Sequence, residues 1–370
     1  MSIHRLKLVS FRNHDQKEFE FSDGLTVIWG ENGSGKTAVL EAIHTLSFGK
    51  SFRTHKQKSM IRNGDDSFVV KGFFSSQGSR DKIAAQVNKH SGQQLKLNGK
   101  SLSGRVEIIG RNCVVVLSPE EQPITKGAPI ERRKFFDKMF SVSNRDYVKT
   151  LKKYNRVLKQ RNAALLLIKE NKSSPAELKH WDQQLVAIGA KLWLMRVDFI
   201  TQFKKNIESI IQRYDSSILF EIVYFDEAPR EEIYRKQVRD ALNKDLALGR
   251  TTAGPHRDDV RFLWDKRDLR SFGSQGEHKL ALVLLKLAEM CFIRDNTGSY
   301  PTLLLDDLFS KLDFERSQKT VSLLQSLEDD SGDPVQTIVT TTDILNVESS
   351  GLMATGKETK TYHLERRCNT

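Results

Sequence analysis

The alternation of apolar and polar residues divides the chain into a strand-rich beginning, a helical middle and a mixed end. Short apolar, partly β-branched runs at 25–29, 113–117 and 302–305 predict buried strands. The apolar positions between residues 36 and 48 recur at helical spacing, which predicts a helix just after the first of these strands. Further strands are predicted at 3–11, 19–21, 68–73, 83–87, 95–97, 218–224, 260–264 and 335–340, and further helices at 274–292 and 314–327.

The middle of the chain shows heptad spacing and almost no strand pattern. Leucines recur every seven residues from Leu151 to Leu165, and a polar turn follows at 171–175. After this turn, apolar residues recur at the same spacing from Leu178 to Phe199. Two such helices joined by a short turn are expected to pack as an antiparallel, coiled-coil-like hairpin.

The order of these patterns predicts how the chain divides into domains. Its 370 residues suit one large domain with a sizeable insertion, or two domains. We predict an α/β fold in which residues 1–125 and 250–370 form a sheet domain. A helical insert, residues 126–249, interrupts that domain.

A candidate phosphate-binding loop follows the predicted strand at 25–29. The loop is Gly30-Glu31-Asn32-Gly33-Ser34-Gly35-Lys36-Thr37, which matches the P-loop pattern G-x-x-x-x-G-K-[ST]. Glycines let backbone N–H groups surround a phosphate chain, and the following helix N-terminus adds partial positive charge. We expect Lys36 to reach the β- and γ-phosphates of ATP and Thr37 to bind Mg²⁺. The alternative is a chance glycine turn before a helix, which the strand–loop–helix context disfavours.

A P-loop ATPase also needs a carboxylate on a neighbouring strand, and the strand at 302–305 ends in Asp306 and Asp307. We predict that Asp306 holds Mg²⁺ through water and that Asp307 polarises the attacking water. Asp307 and Lys36 are therefore the candidate catalytic residues. A polar strand end without such a role is the alternative, and the neighbouring P-loop makes it less favoured.

The segment Ser274-Gln275-Gly276-Glu277-His278 precedes the long predicted helix. Its Ser-x-x-Glu spacing is typical of a capping box. Ser-Gln-Gly, then a helix, then an apolar strand ending in acids is also the order of an ABC-type ATPase signature, which approaches the γ-phosphate of a second subunit. Both roles use the same geometry. We therefore include Ser274, Gln275 and Gly276 among the ATP-binding candidates and expect an ATP-dependent homodimer.

Three further segments carry signals of such an ATPase. Residues 310–313 (Ser-Lys-Leu-Asp) are similar to its S-x-L-D turn, and Thr340–Thr342 stand where many of these enzymes have a γ-phosphate-sensing histidine. Arg12 and Asn13 end the first strand, where SMC-like ATPases contact the nucleotide. For Arg12 alone, a plain surface charge is the alternative.

The charge of the chain favours an anionic partner. There are 59 Lys and Arg against 47 Asp and Glu, a formal net charge of +12. Most of the excess lies at 131–161, and a shorter basic run lies at 50–62. Within the first run, Lys149, Lys152, Lys153 and Arg156 recur at three- and four-residue steps and line one side of a helix. A solvated face is the alternative for any one of them, but as a group they predict contacts with DNA phosphates and little base reading.

Three further features of the sequence indicate where in the cell the protein is located. No apolar run approaches the ~20 residues needed to span a bilayer. The first residues lack the long apolar core of a signal peptide. Cys113, Cys291 and Cys368 lie far apart, which disfavours a disulfide framework or a structural zinc site. We expect a cytoplasmic protein without a membrane partner.

Several blocks of sequence resemble the RecF recombination and repair family. They are Phe11-Arg12-Asn13, the P-loop with Glu41-Ala42-Ile43, Gly49–Thr54, Ser118-Pro119-Glu120, Lys126-Gly127 with Arg132-Arg133, Gly254–Asp259, and Leu304–Asp307. The resemblance implies an SMC-like ABC ATPase that binds ATP and DNA, dimerises on ATP and hydrolyses it slowly. It also implies action with RecR and RecO in loading RecA at gaps in DNA coated by single-strand-binding protein.

Some positions depart from the family pattern, and other classes stay open. Glu277 and His278 replace glutamines that are frequent in family signatures, and Lys311 stands where an acid is common.

The main alternative to a RecF-type protein is another SMC-like DNA-associated ATPase. Thr340–Thr342 argue against a transporter subunit, and the intact Lys36 argues against an inactive scaffold. An ATPase–nuclease of the overcoming-lysogenization type would need a further acidic domain, and a metal-hook protein would need C-x-x-C and long arms.

Overall fold

A computed structural model describes residues 1–76, 78–307, 314–327, 335–354 and 358–366. Its strands are β1 (Ser2–Phe11), β2 (His14–Glu20), β3 (Leu25–Trp29), β4 (Ser67–Ser76), β5 (Ser79–Asn88), β6 (Gly92–Leu97), β7 (Lys100–Ser101), β8 (Val114–Leu117), β9 (Phe220–Val223), β10 (Arg261–Trp264), β11 (Arg267–Asp268), β12 (Thr302–Asp306), β13 (Thr337–Thr341) and β14 (Thr359–His363). Its helices are α1 (Lys36–Phe48), α2 (Pro123–Lys126), α3 (Pro129–Ser143), α4 (Arg145–Lys169), α5 (Leu178–Tyr214), α6 (Glu231–Asp240), α7 (Leu242–Leu248), α8 (Leu269–Phe272), α9 (Gln275–Thr297), α10 (Phe314–Gln325) and α11 (Ile344–Ser349).

The chain divides into two compact units. The first contains residues 1–122, 209–216 and 279–370, and the second contains residues 123–208 and 217–278. The second unit thus runs beyond the predicted insert, 126–249, up to residue 278. The reason lies in strand pairing, because β10 is hydrogen-bonded to β9 on one side and to β11 on the other.

The first unit contains a parallel and an antiparallel sheet among its described residues. The parallel sheet has the strand order β14-β3-β13-β12-β8, and the antiparallel sheet has the order β2-β1-β4-β5-β6-β7. Helix α1 packs against strands of both sheets, and almost all of its residues are buried. The carboxyl ends of β3, β13 and β12 share one edge of the parallel sheet, so the segments that follow them meet there. This mixture of sheets and long helices confirms the predicted α/β class.

In the second unit, α4 and the part of α5 up to residue 208 form the predicted antiparallel hairpin. Tyr147 hydrogen-bonds Arg196, and seven residues further along α4, Tyr154 lies against Gly189. Another seven residues on, Arg161 pairs with Asp182. The centre of the seam is therefore the line of Tyr147, Tyr154 and Arg161, which are all at most 1% exposed.

This seam differs in part from the leucine heptad indicated by the sequence. Leu165 is buried, but Leu151 and Leu158 are only partly buried. A fully buried Arg161 is possible because Asp182 and Asp245 each lie 2.6 Å from its guanidinium and compensate its charge. Among the described residues, no helix is long and apolar enough to cross a membrane.

Candidate nucleotide-binding site

The P-loop lies between the end of β3 and the start of α1, as the sequence predicts. Gly30, Gly33 and Gly35 all have positive φ, at 146°, 85° and 101°. A Cβ on Gly30 would lie 2.1 Å from the carbonyl oxygen of Leu364, the residue just after the edge strand β14. A Cβ on Gly35 would lie 2.5 Å from Asn13 Oδ1. Both positions therefore require glycine for conformation and for close packing.

Lys36 is buried and turned back onto the loop. Its Nζ donates hydrogen bonds to the carbonyl oxygens of Gly30 (2.6 Å) and Glu31 (2.8 Å). Burial lowers the pKa of Lys36, whereas the negative charges of Asp307 and Asp306 act in the opposite direction. A phosphate chain in the loop would favour the charged form of this lysine further.

Thr37 and the acids at the end of β12 meet across the sheet edge. The hydroxyls of Thr37 and Thr340 donate to the same oxygen of Asp306, at 2.8 and 2.6 Å. Burial raises the pKa of Asp306, and these two hydroxyls oppose that shift. Asp307 has φ 51°, and its backbone N–H donates to the carbonyl oxygen of Thr340 at 3.0 Å. The hydroxyl and carboxylate expected to serve Mg²⁺ thus stand side by side.

The turn between β1 and β2 packs on the P-loop. Asn13 Nδ2 donates to the carbonyl oxygen of Gly33 at 3.0 Å. Arg12 forms two hydrogen bonds to the buried Glu41, at 2.8 and 2.6 Å, and a third to the carbonyl oxygen of Ser59. The guanidinium of Arg12 is therefore bound by Glu41 and the Ser59 carbonyl oxygen. Arg12 is not the solvated surface charge that was the alternative interpretation of the sequence.

Glu41 also organises side chains that motif reasoning did not assign to the site. The Ser51 hydroxyl donates to Glu41, and Arg53 lies 3.8 Å from its other oxygen. Arg53 also lies 3.5 Å from Glu120, in the short 3-10 helix after β8. These side chains lie in two blocks that resemble the RecF family, Gly49–Thr54 and Ser118-Pro119-Glu120. The sequence did not show that these blocks border the P-loop, and the contacts of Ser51, Arg53 and Glu120 do.

These segments enclose a cleft of about 610 Å³ in the first unit. It is lined by the predicted Arg12, Asn13, Asn32, Gly33, Gly35, Lys36, Thr37, Asp306 and Asp307, and also by Ala38, Arg53, Ser59, Ile61, Pro119, Glu120 and Thr342. Ser34 is buried in the loop beside them. The lining combines three cations, Arg12, Lys36 and Arg53, with three carboxylates, Glu120, Asp306 and Asp307, which suits a phosphate-bearing ligand bound together with a metal cation.

The predicted signature segment lies in the second unit and forms a capping box. Glu277 accepts from the Ser274 backbone N–H at 2.7 Å, and the Glu277 N–H donates to Ser274 Oγ at 3.2 Å. The carboxylate of Glu277 is thus turned onto the backbone, while the Ser274 hydroxyl can still donate its own proton. Gln275 and Gly276 open helix α9. Burial lowers the pKa of His278, which keeps this second departure from the family pattern neutral near pH 7.

The other residues singled out in the sequence, where the structure describes them, do not line the cleft. Lys149, Lys152, Lys153 and Arg156 are all exposed along α4, and Lys149 lies 3.7 Å from Asp146. Residues 310–313 lie outside the described residues. The Gly254–Asp259 block lines no part of the cleft and forms a buried polar network in the second unit. In that network Asp259 accepts two hydrogen bonds from Arg132, and Asp258 accepts from Tyr224 and Trp193.

The fold and the cleft define an ABC-type ATPase head of the SMC class. The solved Smc head domain of Pyrococcus furiosus shares this fold, with a TM-score of 0.55 and 18% identity over 94% of this chain and 91% of that chain. Residues 2–353 match the RecF/RecN/SMC N terminal domain family.

Proteins with higher sequence identity to this chain than the Smc head show which family within the SMC class it belongs to. The DNA replication and repair protein RecF of Halothermothrix orenii is 35% identical over 362 residues, 94% of this chain and 94% of that protein. The RecF of Thermoanaerobacter sp. (strain X514) is 34% identical over 337 residues, 89% of this chain and 92% of that protein. A solved structure of the recombination mediator protein RecF-ATP in the RecFOR pathway has a TM-score of 0.83 at 32% identity, over 92% of each chain. The chain belongs to the RecF family, which confirms the resemblance seen in its motifs.

Proposed function

We propose that this chain is an ATP-dependent, DNA-binding recombination mediator that acts in gap repair. It binds Mg-ATP, dimerises on it, hydrolyses it slowly, and helps RecR and RecO to load RecA on single-stranded gaps. The observation that carries the proposal is the cleft of the first unit, where the P-loop, the Thr37–Asp306 pair and Asp307 converge in a RecF-family chain.

The side chains of the cleft suit the phosphates of a nucleotide. The N–H groups of the P-loop surround the phosphate chain, and Lys36 exchanges its bonds to Gly30 and Glu31 for phosphate oxygens. Arg53 is only loosely held by Glu41 and Glu120 and is 38% exposed, so its guanidinium can turn toward the same ligand. Arg12 positions the wall of the cleft through Glu41.

The oxygen ligands beside the loop suit Mg²⁺. Thr37 offers a hydroxyl and Asp306 a carboxylate, which are the hard donors that this ion prefers. When bound, the ion neutralises charge that develops on the phosphates. Thr340 orients Asp306 by its hydrogen bond, and Asp307 polarises the attacking water.

A direct test measures binding to gapped, duplex and single-stranded DNA, with and without Mg-ATP, at several salt concentrations. Tighter binding to gapped DNA with ATP is the expected result. Equal binding to all forms would favour another SMC-like DNA-associated ATPase, and no response to ATP would contradict the proposal.

Ser274→Arg is expected to abolish ATP-dependent dimerisation while leaving ATP binding to the monomer intact. The reason is that Ser274 lies on a different unit from the P-loop, so in a two-fold dimer it can act on the nucleotide of the second copy. A bulky cation at the start of α9 would occupy that space. Sedimentation velocity with and without Mg-ATP measures the result.

Thr201→Arg is the matched control, because it introduces the same cation at an exposed position on α5, in the same unit but outside the capping box. It should still dimerise. A Ser274→Arg protein that dimerises like the wild type, or a wild type that stays monomeric with full activity, would contradict the assigned role of Ser274.

Replacing Lys152, Lys153 and Arg156 together by glutamate is expected to weaken binding to all DNA sequences alike. These residues are exposed on one side of α4, and each lost phosphate contact should flatten the log–log salt slope on duplex by about 0.9. ATP binding should not change. Fluorescence anisotropy across a salt series measures both quantities.

The control replaces Lys179, Lys191 and Lys205 on α5 by glutamate, because these exposed lysines give the same change in net charge. Equal loss in both triple variants would mean that overall charge, and not this face of α4, attracts DNA. A loss confined to one sequence would reveal base reading instead.

A further inference from the structure

A small groove lies just before the signature segment, in the second unit. It has a volume of about 300 Å³ and lies beside the β10–β11 hairpin and α8. The residues that define it are Trp264, Asp265, Arg267, Asp268, Phe272 and Glu277. We refer to these residues as the Phe272 groove.

Phe272 is held outward by an ordered backbone. Helix α8 is capped by Asp268, whose carboxylate accepts from the Ser271 N–H at 2.9 Å, and the Gly273 N–H donates to the carbonyl oxygen of Leu269 at 2.8 Å. Leu269 is 1% exposed whereas Phe272 is 72% exposed. A Cβ on Gly273 would lie 2.5 Å from the Leu269 carbonyl oxygen, so this tight turn requires glycine. The aromatic ring therefore projects from a hydrogen-bonded turn and is largely exposed.

The lining of the groove is acidic. It contains the carboxylates of Asp265, Asp268 and Glu277 against the single guanidinium of Arg267. Lys266 is exposed nearby but does not line the groove. Because only one cation faces three carboxylates, the groove favours a basic occupant.

A basic segment lies at the mouth of the P-loop cleft in the first unit. The segment, residues 50–62, contains five basic residues and no acid. The Arg12 N–H donates to the Met60 carbonyl oxygen at 2.8 Å, and the Arg62 N–H donates to that of Ser10 at 2.9 Å, so the segment is fixed beside the cleft. Lys56 and Lys58 are exposed on it.

We propose that the Phe272 groove receives the basic segment 50–62 of a second copy of this chain. The proposal rests on the proposed function, because an ATP-bound dimer brings Ser274 of one copy to the P-loop cleft of the other. Phe272 lies two residues before Ser274, and Arg53 and Ser59 of the basic segment line the cleft. The ring of Phe272 becomes buried, and the groove carboxylates face the lysines of the other copy.

Phe272→Ala is expected to weaken ATP-dependent dimerisation by about tenfold or more, since central aromatic residues dominate such interfaces. ATP affinity of the monomer should not change. Leu194→Ala is the control, because Leu194 is 55% exposed on α5 of the same unit and should dimerise like the wild type. Sedimentation velocity in Mg-ATP gives the dimer constants, and circular dichroism confirms that each variant is folded.

A charge exchange tests the identity of the occupant. Asp265→Lys alone, and Lys56→Glu with Lys58→Glu, should each weaken the dimer. Combined in one chain they should restore it, because opposite charges face each other again across the interface. Circular dichroism checks that the Asp265→Lys proteins are folded, because Asp265 has φ 48° and lysine fits this left-handed conformation less well than aspartate.

Two outcomes would overturn the inference. One is a Phe272→Ala protein that dimerises like the wild type. The other is a Lys56→Glu, Lys58→Glu protein that loses DNA affinity but still dimerises, which would assign the basic segment to DNA. Failure of the proposed function is distinguishable, because the wild type would then not dimerise with ATP at all, or Ser274→Arg would have no effect.

Discussion

Lys36→Ala should weaken Mg-ATP binding by about 100-fold, as expected for the loss of a charged hydrogen-bond donor to the phosphates. In the wild type this ammonium is buried beside the P-loop, 2.6 Å from the Gly30 carbonyl oxygen. Alanine leaves the β- and γ-phosphate charge without its main compensating side chain. Isothermal titration calorimetry with Mg-ATP and a non-hydrolysable analogue measures the change.

Lys17→Ala provides the matched control, because Lys17 is an exposed lysine on β2 outside the cleft. It should bind ATP as the wild type does. Thermal unfolding without nucleotide checks that Lys36→Ala keeps its fold. If a folded Lys36→Ala protein bound ATP with unchanged affinity, the cleft would not be the nucleotide site.

Asp307→Asn should bind ATP and dimerise but hydrolyse ATP about 100-fold more slowly or worse. The substitution keeps the shape of the side chain while removing a base that can accept the proton of the attacking water. It is also compatible with the backbone, because asparagine tolerates the left-handed conformation that Asp307 adopts at φ 51°. Phosphate release under saturating ATP measures the rate.

The comparison variant is Asp343→Asn, whose carboxylate caps α11 and does not line the cleft. Its rate should stay close to that of the wild type. Turnover of the Asp307→Asn protein at the wild-type rate would transfer the role of base to another group. Trapping of an ATP-bound dimer in the Asp307→Asn protein would support both the catalytic and the dimerisation proposals.

The family departures in the signature segment have a structural explanation. Glu277 carries a charge that would repel a γ-phosphate if it pointed outward, but its carboxylate is used in the capping box. His278 is buried and kept neutral. The Glu277 carboxylate keeps its negative charge but is turned onto the Ser274 backbone N–H, and the Ser274 hydroxyl can still donate to a phosphate, so nucleotide binding in trans remains compatible with this sequence.

The local elements of the site could be predicted from the amino-acid sequence. The bounds of β3 and α1 agree with the predicted 25–29 and 36–48, because a short apolar run, a glycine loop and a helical repeat are all local signals. The P-loop, Asp306 and Asp307 were recognisable for the same reason, since the chemistry fixes residue type and spacing. Once α/β elements are known, their shared sheet edge follows from topology.

The long-range contacts of each side chain could not be predicted in this way, because they depend on how distant segments pack together. Strand β14 was not predicted, because none of its residues is fully buried and its partner β3 lies more than 330 residues away in sequence. Arg12 could be a surface charge until Glu41 is placed beside it, and the leucine heptad gives no sign that Arg161 occupies the hairpin seam. A charged side chain can be buried only where other segments supply opposite charges, as Asp182 and Asp245 do for Arg161. The spacing of residues along the sequence does not indicate such partners.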